Sequence, residues 1–322
     1  MLNKLLQHVS ESFRQDEFKG EPAQRRKLRE HRRVLQNSPV SSFLKCAVLT
    51  LKLMRADKPV AYSLVFFPAL FGLLLANPSR SELAHLLPLF ILGSIIARST
   101  GCIINDLFDR KFDKHVARTK DRPLASKALS VSYAITIAII LAIISLIILL
   151  SLSRTAIYIG LFAVIMIAIY PLMKRITYFP QIFLGFTFKL GVLIGYAAVK
   201  NTIDLSVIIM YLACASWIIG YDTIYGFADI KDDKKIGVKS LSIYLENKHP
   251  KFWLYVCYIG FILLFILATK IVNYNIDYLP ILAALILLIL QVATLDTRNP
   301  ANCMTRFRAN NYVGLVLSMA FC

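Results

Sequence analysis

The chain is predicted to be an all-α, polytopic membrane protein with about nine transmembrane helices in one bundle and a cytoplasmic N-terminus. Three observations predict this. Of 322 residues, 57% are hydrophobic and only 17% charged, against about 45–50% and about 25% in soluble domains. The apolar residues form long uncharged runs, and a run of about 20 is what a helix needs to cross about 30 Å of hydrocarbon. The basic residues alternate: segments between the runs carry many or almost none, and the rich side marks the cytoplasm.

The elements follow from these runs. Candidate spans cover roughly 60–76, 83–104, 128–152, 155–173, 179–199, 204–225, 252–273, 277–295 and 309–322. Pro59, Asn77-Pro78, Ser153-Arg154, Tyr170-Pro171, Asn201 and Asn299-Pro300 punctuate them. Of 37 Lys+Arg, 31 fall on alternate intervening segments and 4 on the others, while Arg98 and Lys189 lie inside spans. The net charge of +18 is thereby explained as topology, and no nucleic-acid partner is expected. Residues 1–42 are polar and basic, without the apolar core of a signal peptide, and contain Glu11, Asp16, Glu17, Glu21 and Glu30, unlike an acid-poor presequence. They are expected to form a cytoplasmic tail against anionic headgroups, leaving 43–322 as the membrane domain. The six cysteines stand singly, without metal-binding spacing, and are expected to be small buried apolar residues. The basic alternation and the Lys-, Ile- and Asn-rich composition predict the inner (cytoplasmic) membrane of a bacterium.

Nineteen acidic residues are few, and seven of them form two clusters. The first is Asn105-Asp106-Leu-Phe-Asp109-Arg110-Lys-Phe-Asp113, the second Asp222-Thr-Ile-Tyr225 through Asp229 to Asp232-Asp233. Each closes a span that runs inward. On a helix, Asp106, Asp109 and Asp113 share one face, and Asn105, Asp109 and Asp113 fall on nearly the same stripe. Asp222, Asp229 and Asp233 are offset by 7 and 11 residues and also return to one face. Carboxylates so placed repel one another unless a cation lies between them. Hard oxygen ligands suit Mg²⁺, which commonly bridges carboxylates to substrate phosphates. Nearby Arg110, Lys111, Arg118, Arg122, Lys231, Lys234, Lys235 and Lys239 suit a phosphate as well. The alternatives are charges solvated at the membrane surface, and a secondary transporter that binds a coupling cation. Transporter sites, however, lie near the bilayer midplane, and these clusters lie at its cytoplasmic edge.

The segment from Arg98 through Asn105-Asp106-Leu-Phe-Asp109-Arg110-Lys-Phe-Asp113 to Arg118-Thr-Lys-Asp-Arg122-Pro-Leu resembles the UbiA superfamily of intramembrane prenyltransferases, and Tyr221-Asp-Thr-Ile-Tyr225 through Asp233 to Lys239-Ser240 resembles its second motif. Leu53-Met-Arg55-Ala-Asp57-Lys-Pro59 and Pro180-Gln-Ile-Phe-Leu-Gly185 are most similar to the branch acting on 4-hydroxybenzoate in ubiquinone synthesis. The resemblance covers roughly residues 50–320. It departs at Lys189, where that branch usually has Asn, at Ile230, which replaces a basic residue, and at Val60-Ala61.

The resemblance implies transfer of a polyprenyl group from its diphosphate to the ring of 4-hydroxybenzoate, ortho to the hydroxyl, in the membrane lipid. It implies Mg²⁺ on Asn105, Asp109, Asp113, Asp229 and Asp233, with diphosphate contacts from Arg118, Arg122 and Lys239. Asp106 would ligate the metal or orient a ligand, and Asp222 would polarise the acceptor phenol. Arg55 or Arg98 would meet the acceptor carboxylate, and Tyr221 and Tyr225 would stabilise an allylic cation. Other acceptors of the superfamily, including haem and other quinone precursors, share these motifs.

Overall fold

A computed structural model describes residues 39–114, 119–237 and 239–321; the expected tail at 1–42 lies almost wholly outside them. Twelve α-helices are described: α1 (Pro39–Leu53), α2 (Val60–Leu75), α3 (Arg80–Asp113), α4 (Val131–Leu150), α5 (Arg154–Ile176), α6 (Pro180–Phe188), α7 (Leu190–Lys200), α8 (Leu205–Ile236), α9 (Leu241–Leu245), α10 (Pro250–Ile271), α11 (Tyr278–Ala293) and α12 (Pro300–Ser318). Among the described residues there is no strand. Five stretches are long and apolar enough to cross a membrane: α3, α4, α6 with α7, α8 and α10. Three more helical stretches, in α2, α5 and α11, are apolar but shorter. Side chains such as Ile139, Ile143, Ile147 and Leu150 on α4 are about half exposed or more. An apolar surface of that kind belongs in lipid.

The helices differ from the predicted spans at four places. α3 and α8 continue about three turns past the apolar runs and carry both acidic clusters within them. The expected span 179–199 is broken at Lys189, whose backbone (φ −97°, ψ 3°) separates α6 from α7. The last helix starts at Pro300, because the Asn299 side chain accepts from the amides of Ala301 and Asn302 and proline suits the first helical turn. Arg306 and Arg308 consequently lie within a helix.

The described residues form two compact units, one comprising those up to Pro59 and those within Cys102–Ala138, the other Val60–Gly101 and those from Ile139 onward. In the first, α1 ends in a tight turn in which the Ala56 amide donates to Leu51 O and the Lys58 amide to Arg55 O. Thr50 Oγ1 and Tyr133 Oη are hydrogen-bonded at 2.8 Å. In the second, α8 is the axial helix, packed on α10, α12, α6 and α7. Its core is aromatic: Trp217 stacks on Phe261 (5.0 Å between centroids), and Phe71 meets Phe265 edge-on at 5.4 Å. α2 and α7 approach at backbone distance. A Cβ at Gly195 would lie 2.2 Å from Ala69 O, and one at Gly72 1.9 Å from Val192 O, so only glycine fits at either place. Small residues at a helix contact are the usual means of close packing in membranes.

Candidate active site

In the first unit the acidic stripe of α3 divides in two. Asp106 and Asp113 are buried, at 2% and 7% exposure. Arg55 Nη2 donates to both oxygens of Asp106 at 2.7 and 2.9 Å. Arg122 Nη1 reaches Asp106 at 3.1 Å and Asp113 at 2.8 Å. Asn105 and Asp109, one turn apart, are half-buried, and Asn105 Nδ2 donates to Asp109 Oδ2 at 3.0 Å. Two local structures aim the arginines. Arg55 has φ +65°, a left-handed backbone that a non-glycine residue occupies at a cost of about 1–2 kcal/mol. Arg122 sits in a turn in which its amide donates to Thr119 O, while Thr119 Oγ1 donates to Asp113 O at 3.0 Å.

In the second unit the motif occupies one face of α8. Asp222, Tyr225, Asp229, Asp232 and Asp233 are half-buried, while Tyr221, Thr223, Ile224, Gly226, Phe227 and Ile230 between them are buried. The stripe is held from behind. Ser242 Oγ donates to Thr223 O at 2.8 Å, and the Leu241 amide donates to Gln181 Oε1 at 2.9 Å, tying α9 and α6 to α8. Gly237, at φ +73°, ends α8 by accepting the left-handed turn that closes it. Lys234 and Glu246 form an ion pair.

The remaining predicted residues fall as follows. Lys239 Nζ lies 5.3 Å from the Tyr178 ring centre and donates to Ile176 O at 3.3 Å. Arg118 lies outside the described residues. Arg98 is half-buried, and its Nε is buried with no hydrogen-bond partner among the described residues. Tyr221 and Tyr225 both meet Phe307 of α12, at 5.8 and 5.0 Å. Phe307 was not singled out in the sequence, and a lone phenylalanine among 20, more than 80 positions away, carries no signal there. The Arg55–Asp106 pair was equally invisible, because nothing local joins residues 51 positions apart.

The donors fit a hard divalent cation. They are carboxylate and amide oxygens, and among the described residues no three His, Cys, Asp or Glu side chains converge into a self-sufficient metal cage. Mg²⁺ rarely uses such cages, taking one or two carboxylates and completing its shell with water and phosphate.

An all-helical chain with several membrane-crossing helices, two of which carry one-face acidic motifs at their ends, defines a multi-pass membrane protein with polar chemistry at its helix ends. The chain belongs to the UbiA prenyltransferase family, whose sequence profile matches residues 65–314. It is 37% identical over 274 residues to the mitochondrial 4-hydroxybenzoate polyprenyltransferase of Bos taurus, covering 83% of this chain and 72% of that one. It is 38% identical over 267 residues to the 4-hydroxybenzoate octaprenyltransferase of Escherichia fergusonii, covering 83% and 91%. Among solved structures it is similar to a UbiA homolog from Aeropyrum pernix K1 (TM-score 0.68, 23% identity, 80% of this chain and 94% of that one). It is also similar to a UbiA homolog from Archaeoglobus fulgidus bound to GPP and Mg²⁺ (TM-score 0.62, 18% identity, 85% and 97%). At these identities the structural likeness is one of fold.

Proposed function

We propose that this protein transfers a polyprenyl group from polyprenyl diphosphate to 4-hydroxybenzoate, giving 3-polyprenyl-4-hydroxybenzoate, with Mg²⁺ as cofactor, in the cytoplasmic membrane of a bacterium. The observation that carries the reading is a pair of one-face acidic motifs in a chain 37–38% identical to named 4-hydroxybenzoate polyprenyltransferases over 83% of its length.

In this reading Asn105, Asp109 and Asp113 of α3, and Asp229 and Asp233 of α8, hold Mg²⁺ with the diphosphate. When bound, Mg²⁺ would neutralise charge that develops on the leaving diphosphate. Arg118, Arg122 and Lys239 contact phosphate oxygens. Asp106, fixed by three guanidinium bonds, acts through Arg122 by holding it in place.

The allylic C–O bond breaks, its electron pair leaving with diphosphate. Tyr221 and Tyr225 present ring faces to the allylic cation, and the surrounding apolar helices exclude water. The ring carbon ortho to the phenol supplies the electron pair of the new C–C bond and then loses its proton to the departed diphosphate. Asp222 accepts a hydrogen bond from the phenol and raises the electron density of the ring. Arg98, whose Nε makes no hydrogen bond among the described residues, meets the acceptor carboxylate. Arg55 supports the site through Asp106.

The test is transfer in membranes that express the protein, with radiolabelled 4-hydroxybenzoate, a polyprenyl diphosphate and an EDTA control. A metal-dependent, butanol-extractable product is expected. Product only with another aromatic acceptor would move the substrate. No product with any acceptor or donor would overturn the reading. Localisation is checked by cell fractionation.

A further inference from the structure

α2 contains Pro68. Proline has no N–H, so the carbonyl four residues earlier, Leu64 O, loses its helical donor. A buried carbonyl without a partner is costly. The missing donor comes from another helix: Lys189 Nζ donates to Leu64 O at 2.9 Å.

Lys189 is 1% exposed. Among the described residues it forms no ion pair. Its amine is held instead by two neutral oxygens, with the Trp217 ring beside it. The second oxygen is Tyr221 Oη, at 3.0 Å, and the rings of Trp217 and Tyr221 lie at 5.6 and 5.4 Å. The Tyr221 ring packs edge-on against Phe307, which packs against Tyr225. Tyr221 is thus pinned at its oxygen by Lys189 and at its ring by Phe307, immediately beside Asp222. The side chain that replaces the proline's donor in α2 also fixes an aromatic wall on α8, and it does so from the α6–α7 break.

We propose that Lys189 is a positioning residue for the aromatic acceptor: it satisfies the carbonyl orphaned by Pro68 and, through the same ammonium, holds Tyr221 so that the Tyr221–Phe307–Tyr225 wall keeps the shape against which the acceptor ring packs. Lys189 acts through Tyr221 and does not touch the reacting atoms. The acceptor role rests on the function proposed above, whereas the Pro68–Lys189 relation does not.

The experiment uses the full chain in detergent as wild type, Lys189→Met, Pro68→Ala, the double variant and Tyr221→Phe. It reads the thermal midpoint and KM for acceptor and donor separately. Lys189→Met should lower the Tm by several degrees and raise the acceptor KM by about tenfold, the scale of one lost hydrogen bond to a charged group. The donor KM should stay unchanged. Pro68→Ala returns an N–H to Leu64 O, so the double variant should recover the Tm but keep the raised acceptor KM. Tyr221→Phe should raise the acceptor KM to the same extent, with nothing added by Lys189→Met on top.

Recovery of the acceptor KM together with the Tm in the double variant would reduce Lys189 to a structural plug and overturn the positioning role. An unchanged acceptor KM in Lys189→Met, or in Tyr221→Phe should Lys189→Met fail to fold, overturns it equally. A Tm not recovered by Pro68→Ala overturns the link to the proline. A wild type inactive on 4-hydroxybenzoate overturns the functional reading and the acceptor role with it, while the Tm pattern alone then decides the Pro68–Lys189 bond.

Discussion

Arg55 and Arg122 in the first unit and Lys189 in the second are all cations held among apolar helices, and they are compensated by different means. The arginines meet carboxylates: four hydrogen bonds join Arg55 and Arg122 to Asp106 and Asp113. Lys189 meets a backbone carbonyl, a phenol oxygen and the Trp217 ring. The guanidinium of Arg55 reaches both oxygens of Asp106 through one nitrogen, Nη2, whereas the compact amine of Lys189 fits a small socket left by a helix defect. The first arrangement holds two carboxylates in place beside the proposed diphosphate ligands. The second holds a buried amine on two neutral oxygens, with no salt bridge to it among the described residues. The proposed function assigns chemistry to the first arrangement and shape to the second, a contrast that substitutions can break.

The largest expected effect is at the half-buried ligands. Asp109→Ala should lower transfer by about a hundredfold to a thousandfold, the scale on which removing one electrostatic element acts. Removal of divalent metal should do the same, and near-normal turnover in either measurement would sink the metal assignment. Next is Arg122→Gln, which leaves Asp106 and Asp113 without their shared partner. Breaking a buried pair costs about 3–5 kcal/mol, and because Arg122 itself is 20% exposed the lower end is expected, read as a fall in the denaturation midpoint. The loss should be partly relieved in the Arg122→Gln, Asp113→Asn double variant, and additivity would show that the pair is not coupled. Arg55→Gly sharpens the same point: the left-handed backbone is relieved but both hydrogen bonds to Asp106 are lost, so the net effect should still be destabilising.

A smaller effect is expected for Trp217→Phe, which keeps the ring beneath Lys189 but deletes the donor to Asn310 Oδ1, now 2.8 Å from Trp217 Nε1. About 1–2 kcal/mol should be lost, with acceptor KM rising only if the ring shifts. The smallest effect is at the start of α8, where the Asp204 side chain caps the helix by accepting from the amides of Ser206 and Val207. Burial raises its carboxyl pKa, but hydrogen bonds from Ser206, Tyr196 and the Val207 amide outweigh it, and the group lies below the usual carboxylate range. With a depressed folded value, its contribution is present above the unfolded pKa and is lost as pH falls through the folded one. Asp204→Ala should cost about 1 kcal/mol at neutral pH, and the difference from wild type should shrink in acid. A difference that grows in acid would reverse the assignment.

Much of this could be read directly from the chain. The apolar runs and the alternation of Lys and Arg determined an all-helical, multi-pass protein, since hydrocarbon forces every backbone group to bond within its own segment. Offsets of 3, 4, 7 and 11 residues determined which acids share a face, since a helix has a fixed period. Those signals are local. The partners of the same residues were decided only by the tertiary structure. Asp106 and Asp113 turned into an arginine pair while Asn105 and Asp109 stayed on the half-buried face, a split that periodicity alone does not make. Lys189 stood out in the sequence as a charge inside a span, but what compensates it depends on a proline 121 positions earlier and a tyrosine 32 positions later. Helical period is a property of one segment, whereas the compensation of a buried charge is a property of whichever segments fold against it.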